Sequence, residues 1–97
     1  VAADREDGFS ARPNPFHGAD GVEISLALPR SAPVELGVYD IQGRLIRTLI
    51  RRTMDPGNHQ VHWDGRRDTG QELPAGVYFL RLRGHGAVRG ERIVKIR

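Results

Sequence analysis

The chain has 97 residues, of which 12 are glycine and 6 are proline, and it contains no cysteine. This length is that of one domain, and so many turn-forming residues exclude a helical bundle. Hydrophobic residues make up 38% and charged residues 28%, so the chain can bury a core and is not composed like a disordered segment. The longest uninterrupted apolar run is the four residues from Val77 to Leu80, whereas a bilayer-spanning helix needs about 20. We therefore expect no transmembrane segment.

The net charge is +3, and every basic residue except Lys95 is an arginine. The arginines are spread from Arg5 to Arg97 and are not clustered among base-stacking aromatic residues, so the sequence predicts no nucleic-acid partner. The lack of cysteine excludes disulfides, cysteine zinc sites and thiol nucleophiles. It does not determine the compartment, since an extracellular domain with a sufficient core needs no disulfide.

The first part of the chain predicts a linker and two strands. Residues 1–8 are small, charged and without periodicity, which is typical of a linker or a disordered end. A short strand over Phe9–Arg12 should stop at Pro13–Pro15, because two prolines in three residues remove two backbone donors. Gly21–Leu28 alternates apolar and polar residues, the pattern of a half-buried strand, and Pro29 should end it.

The middle of the chain predicts a hairpin. Val34–Val38 alternates in the same way, and Asp40–Gly43 is typical of a tight turn in which Gly43 adopts a positive φ. Arg44–Ile50 is then the partner strand. Its LIRTLI pattern also fits one amphipathic helical turn, but seven residues between two turns are short for a helix, so we favour a strand.

Three further strands follow. Asp55–Asn58 has the proline and glycine of a β-turn, and His59–Trp63 is the strand after it. Asp64–Ala75 is the longest predicted loop. Gly76–Arg83 is the most apolar strand, and Ala87–Ile96 is the last.

The spacing of these elements predicts the fold class. About seven short strands separated by turns every 8 to 12 residues indicate an all-β, Ig-like antiparallel β-sandwich over residues 9–97. Trp63 shares the inward register of the strand before it, so we expect it in the core and not at a ligand platform. The residues expected to fill the core are Val22, Ile24, Leu26, Val38, Val61, Trp63, Tyr78, Leu80 and Leu82.

A set of motifs in fixed order resembles a known family. The domain looks like the Ig-like domain of the flagellar hook-capping protein and its relative, the type A C-terminal sorting domain of proteins exported by the type IX (Por) secretion system. The resemblance covers about residues 12 to 97. Its motifs are PNPF at 13–16, Leu28–Pro29, VYDIQGRLIRTL at 38–49, PGNH at 56–59, WDGR at 63–66, Gly70 and GVYFL at 76–80.

This resemblance implies a non-catalytic function with two alternatives. The basic and apolar ending Glu91–Arg97 is similar to the end of a sorting domain, which implies recognition by the type IX translocon and a place outside the cell or on the outer surface of a Gram-negative-type bacterium, reached through the periplasm. Trp63–Gly65 is at least as typical of the hook-capping branch. That branch implies a structural module of a filament, flagellar cap or secreted enzyme, in which an exposed strand over Ala87–Ile96 pairs with a neighbouring subunit.

The residues that recognition would use are also implied by the resemblance. We expect the partner, a translocon or a neighbouring subunit, to contact the folded surface at the PNP element and the last strand. Lys95 is expected there as a partly exposed edge residue. The candidate residues are Pro13, Asn14, Pro15, Gly43, Arg44, Gly76, Tyr78 and Lys95.

Catalytic and cofactor sites are not predicted. No serine stands in a Gly-x-Ser-x-Gly elbow. His59 and His62 should lie on opposite faces of one strand, which prevents shared metal binding. Asp64, Asp68 and Glu72 lie in one glycine-containing loop and could hold calcium, but they lack the EF-hand spacing, and intervening arginines favour turn-forming roles. We therefore expect no metal and no cofactor.

One basic surface remains open to two interpretations. Arg81 and Arg83 alternate with apolar residues, and Arg44 and Arg47 lie on a strand that could be adjacent. Such a stripe would suit carboxylates, phosphates or anionic lipopolysaccharide. A solvated face is the simpler interpretation, and we favour it.

Overall fold

A computed structural model describes residues 8–97, so the predicted linker 1–8 lies outside the described residues except for Gly8, whose carbonyl accepts a hydrogen bond from Ala27 N at 2.7 Å. Eight strands and no helix are present in this range, and nothing in it could therefore cross a bilayer as a helix. The strands are β1 (Phe9–Arg12), β2 (Phe16–His17), β3 (Val22–Leu28), β4 (Ala32–Tyr39), β5 (Leu45–Met54), β6 (Gly57–Trp63), β7 (Gly76–Gly84) and β8 (Ala87–Ile96).

The strands form two sheets that pack face to face. One sheet has three strands in the order β1-β3-β6, and the other has five in the order β2-β8-β7-β4-β5. All pairs are antiparallel except β2 with β8, which is parallel. The predicted all-β Ig-like sandwich is confirmed.

Alternation along the strands explains the core. In β3, Val22, Ile24, Leu26 and Leu28 are buried against the opposite sheet while the residues between them are not. The same pattern holds in β7. Of the nine residues predicted for the core, all are buried except Val61, which is half-buried and packs against the others.

Several strand boundaries differ from the sequence-based ones: β4 begins at Ala32 and not at Val34, and β6 begins at Gly57, inside the predicted turn Asp55–Asn58. Arg44–Ile50 was predicted as a strand, which is confirmed, and β5 continues to Met54. The eighth strand, Phe16–His17, was not predicted because two residues cannot show a period of two. Gly43 has a φ of 84°, as its predicted turn requires.

Trp63 lies at the centre of an aromatic cluster that joins the two sheets. It is fully buried, and the centroid of its ring lies 5.6 Å from that of Phe16 and 6.0 Å from that of Tyr78. The indole Nε1 donates to the carbonyl of Arg66 at 3.0 Å, so its one polar group is satisfied.

Replacing Trp63 by alanine should lower the free energy of unfolding by about 3 to 5 kcal/mol, because a large buried aromatic side chain leaves a cavity. Urea denaturation measures this loss. Ile41→Ala is the control, since Ile41 is 72% exposed and should change stability by less than about 0.5 kcal/mol. Equal effects of the two variants would contradict the assignment of Trp63 to the core.

Candidate functional site

The PNP element is joined to the last strand by the side chain of Asn14. Its Nδ2 donates to the carbonyl of Arg92 at 2.8 Å, and its Oδ1 accepts from Val94 N at 3.0 Å. The flanking residues Pro13 and Pro15 have no N–H, so the backbone here cannot form a regular ladder with β8. The planar amide of Asn14 supplies the donor and the acceptor in their place.

The chain then pairs directly with β8. Phe16 and His17 form a short parallel ladder opposite Lys95 and Ile96. Gly18 N donates to the carbonyl of Ile96 at 3.0 Å, and His17 Nδ1–H donates to that of Arg97 at 2.8 Å. We call Asn14, Phe16, His17 and Gly18, together with the β8 residues that they bond, the β8 clasp. The clasp covers this end of β8, so the expectation that β8 is an exposed edge strand is wrong here.

Lys95 lies inside the molecule, at 3% exposure. Its ammonium donates to the carbonyl of Leu73 and lies 3.4 Å from a carboxylate oxygen of Glu72. The stem passes between two glycines: a Cβ on Gly18 would lie 2.7 Å from Lys95 Cε, and one on Gly65 would lie 3.0 Å from it. The expectation of a partly exposed Lys95 is therefore wrong, because the long loop supplies a carbonyl that lets the charge be buried.

Three core side chains hold the loop 64–75 by its carbonyls. Trp63 bonds Arg66, Lys95 bonds Leu73, and the hydroxyl of Tyr78 donates to Pro74 at 2.6 Å. Burial raises the pKa of Tyr78 above its usual value of 10.0. These three hydrogen bonds hold the loop against the core. The sequence predicted Trp63 and Tyr78 only as core residues and Lys95 only as a surface residue.

The acidic side chains of this loop bind other groups of the domain. Asp64 accepts from Arg66 N and lies 3.3 Å from the guanidinium of Arg47, Asp68 accepts from Thr48 N at 3.2 Å, and Glu72 pairs with Lys95. Within residues 8–97, no three His, Asp or Glu side chains lie close enough together to hold a metal ion. Asp64 thus has the predicted turn-forming role, whereas Asp68 and Glu72 bond residues of β5 and β8.

The β4–β5 turn is closed by Asp40. Its carboxylate accepts from the backbone N–H groups of Gln42 and Arg44 and from Arg44 Nε at 2.9 Å. These contacts, above all the one from Arg44 N, lower the pKa of Asp40 below its usual value, although burial opposes them. The side chain of Arg44 is therefore paired within its own turn.

The structure brings some of the predicted recognition residues together. Asn14 bonds the backbone of Val94, the neighbour of Lys95 in β8. In the pairing of β7 with β8, Gly76 lies opposite Lys95 and Tyr78 lies opposite Ile93. Arg44, Gly76 and Tyr78 line one shallow depression with the β4–β5 turn, and Gly43 lies in that turn. Pro13, Asn14, Pro15, Gly43 and Arg44 are exposed, Gly76 is half-buried, and Tyr78 and Lys95 are buried.

The two histidines of β6 face opposite ways, as predicted. His62 Nδ1 lies 2.7 Å from a carboxylate oxygen of Glu23 on the outer side, and His59 bonds the carbonyl of Asp55 at 2.7 Å.

The arginines of the predicted basic stripe have different partners. Arg44 and Arg47 pair with carboxylates, whereas the guanidinium of Arg81 lies 4.6 Å from the centroid of the Tyr39 ring.

Comparison with known proteins agrees with this architecture. The family model described as "FlgD Ig-like domain" matches residues 11–87, and the chain belongs to this family. A search of curated proteins found no match.

Two solved structures are similar to this chain. One is PorZ of Porphyromonas gingivalis, described as an essential bacterial surface component of the type IX secretion system. It has a TM-score of 0.68 and 25% identity, and the match covers 99% of this chain and 12% of PorZ. The other is FlgD from P. aeruginosa, with a TM-score of 0.64 and 25% identity over 82% of this chain and 64% of FlgD. The chain thus spans a small part of PorZ and less than two thirds of FlgD.

Replacing Lys95 by glutamate should lower the free energy of unfolding by about 3 to 5 kcal/mol, because it places a buried carboxylate against Glu72 and the carbonyl of Leu73. Chemical denaturation measures the loss. Arg97→Glu makes the same charge change at an exposed side chain and should cost less than about 0.5 kcal/mol. If Lys95→Glu is as mild as Arg97→Glu, Lys95 is not buried in solution.

Proposed function

We propose that this domain is a non-catalytic sorting or anchoring domain of a larger exported bacterial protein, recognised as a folded unit by the type IX secretion machinery. It would then work outside the cell or at the outer surface, through contacts with protein partners. The proposal extends the membership of the FlgD Ig-like family, which by itself indicates a structural protein-interaction module.

The similarity to PorZ carries this proposal. PorZ is a surface component of the type IX system, and its match extends over 99% of the chain, whereas the family model ends at residue 87. Most of β8, which has the basic and apolar ending Glu91–Arg97, lies after that residue. A sorting function gives this strand a purpose beyond completing the sheet.

The position of β8 indicates how recognition would work. β8 pairs with β7 along its length, is held by the β8 clasp, and buries the side chain of Lys95. A partner could not bind the last residues as an extended tail unless the sheet opened. Recognition of the folded domain therefore needs less rearrangement than recognition of a free peptide.

The alternative is a structural assembly module, and the similarity to FlgD favours it. FlgD matches 82% of the chain, and the family takes its description from that protein. Such a module would also bind protein neighbours but would not direct export.

The two functions are separated by an export assay. The whole chain is fused behind a secretion signal and a fluorescent passenger, in a bacterium with an intact type IX system and in a strain that lacks the outer-membrane channel of that system. We expect the passenger outside the first strain and in the periplasm of the second. A passenger retained by both strains with the domain folded would contradict the sorting function and favour the assembly module.

Leu80→Asp tests whether the folded unit is the signal. Leu80 is fully buried, so a charge there should unfold the domain while the ending Arg92–Arg97 stays the same. We expect this variant to remain in the periplasm. Export of the variant at the level of the unchanged domain would mean that the terminal peptide is recognised instead.

A further inference from the structure

The outer face of the five-stranded sheet carries three rows of side chains that follow directly from the strand register. Each row crosses β5, β4, β7 and β8 in that order. The rows are Leu45, Tyr39, Phe79 and Arg92; then Thr48, Gly37, Arg81 and Gly90; then Arg51, Glu35, Arg83 and Val88. We call these twelve residues the outer face.

Exposed apolar side chains are concentrated on this sheet. Among residues 8–97, the large hydrophobic side chains that are exposed all lie in its strands or in the β4–β5 turn: Ile41, Leu45, Phe79, Val88 and Ile96. Leu45 and Val88 are 52% and 60% exposed, although both belong to regular strands. A sheet face that keeps apolar side chains in water is typical of an interaction surface.

The outer face is also positively charged. In the described part of the chain, Arg81, Arg83 and Arg92 have no carboxylate within 4.0 Å. The single acidic residue of the face is Glu35, and its carboxylate lies 3.6 Å from the guanidinium of Arg51. The face thus has four arginines and one carboxylate. Aromatic residues and arginine are the residues enriched at the centres of protein interfaces, from which lysine and glutamate are depleted.

The shape of the face suits a chain lying across it. The middle row has glycines on both sides of Arg81, and among the described residues no side chain lies within 4 Å of the position that a Cβ on Gly90 would take. Leu45 and Tyr39 lean over Gly37, where a Cβ would lie 2.8 Å from Leu45 Cδ1. The guanidinium of Arg81 lies 4.6 Å from the centroid of the Tyr39 ring, a cation–π contact.

The outer side of the three-stranded sheet differs. Its strands alternate so that Ser10, Glu23, Ser25, Gln60 and His62 face away from the core, and Glu23 already pairs with His62. Within residues 8–97, the strands of this sheet carry no exposed large hydrophobic side chain, and Arg12 is their one arginine. The two faces of this small domain are therefore not equivalent for a partner.

We propose that the outer face is the docking surface for an acidic protein partner, which binds as an extended segment with a carboxylate at every second residue. This deepens the sorting proposal and rests on it for the partner being part of the secretion machinery. Arg81 and Arg83 are two residues apart on one strand, which places them about 6.4 to 6.8 Å apart, as are alternate side chains of an extended peptide, which point to the same side. Arginine binds carboxylates in a bidentate manner, so carboxylates at every second residue of the partner can each meet one of these arginines.

Charge and spacing together favour a protein over a membrane. The apolar residues are interleaved with arginines across a flat sheet, whereas a membrane-binding surface gathers its apolar residues on one side of a basic helix or at a tip. The β4–β5 turn has one exposed apolar side chain, Ile41, beside the ion pair of Asp40 and Arg44, so it does not form an apolar cluster of that kind.

A direct binding measurement tests the surface. The probe is a blocked twelve-residue peptide in which aspartate alternates with leucine, titrated into the whole chain while backbone amide resonances are recorded. We expect the largest shifts at Tyr39, Leu45, Phe79 and Arg81. Arg81→Glu with Arg83→Glu should weaken binding at least tenfold, whereas Arg12→Glu with Arg30→Glu, the same change of charge at exposed residues on the other sheet and after β3, should change it less than twofold.

Several results would overturn the proposal. One is that both double variants weaken peptide binding equally, and another is that the amide shifts are confined to the three-stranded sheet. A third is that a peptide with lysine in place of aspartate binds equally well. The last is that the domain binds phosphatidylglycerol vesicles but not the acidic peptide. Thermal midpoints check that the variants are folded. If Arg81→Glu with Arg83→Glu unfolds, Arg81→Gln with Arg83→Gln takes its place.

The export assay gives the second arm. Passenger carrying Arg81→Glu with Arg83→Glu should stay in the periplasm, and passenger carrying Arg12→Glu with Arg30→Glu should be exported. Normal export of the first variant overturns the proposal. If the unchanged domain is not exported at all, the sorting function fails, and the peptide titration alone decides whether the outer face binds acidic protein segments.

Discussion

The side-chain amide of Asn14 is the interaction on which this domain depends. It bonds the backbone of β8 at Arg92 and Val94, 78 and 80 residues further along the chain. Because prolines flank it, no backbone N–H at positions 13 and 15 could donate to the carbonyl of Arg92 in its place. The parallel pairing of β2 with β8, and the burial of Phe16 against Trp63, follow from the position that Asn14 gives this segment.

The burial of Lys95 follows from the same arrangement. Once β8 is held, the side chain of Lys95 points at the long loop, where the carbonyl of Leu73 accepts a hydrogen bond from its ammonium. A satisfied ammonium costs far less to bury than an unpaired one. The side chains of Asn14, Arg44, Tyr78 and Lys95 thus bond within the domain, and the surface that we propose for a partner is the outer face of the larger sheet.

Alternation predicted the strands and the core, but contacts between distant segments could not be predicted in this way. Val22–Leu28 and Gly76–Gly84 show their strands in the sequence because each spans several alternations. β2 is too short to show any. Lys95 was misjudged because a single charge in a strand near the chain's end is usually exposed, and nothing in the neighbouring residues announces that Leu73, 22 residues earlier, provides a carbonyl. The register that creates the outer face likewise depends on two irregularities in the β4–β5 pairing, which no local pattern reveals.

Amide hydrogen exchange at Val94 tests the central role of Asn14 most directly, because this N–H donates to Asn14 Oδ1. In Asn14→Ala the protection of Val94 should fall at least about tenfold more than that of Ile24 in β3, since a local bond is lost beyond any change in global stability. Asn58→Ala, at an exposed residue of β6, should leave the ratio of the two protections unchanged. Equal protection of Val94 relative to Ile24 in Asn14→Ala and in the unchanged chain would contradict the account.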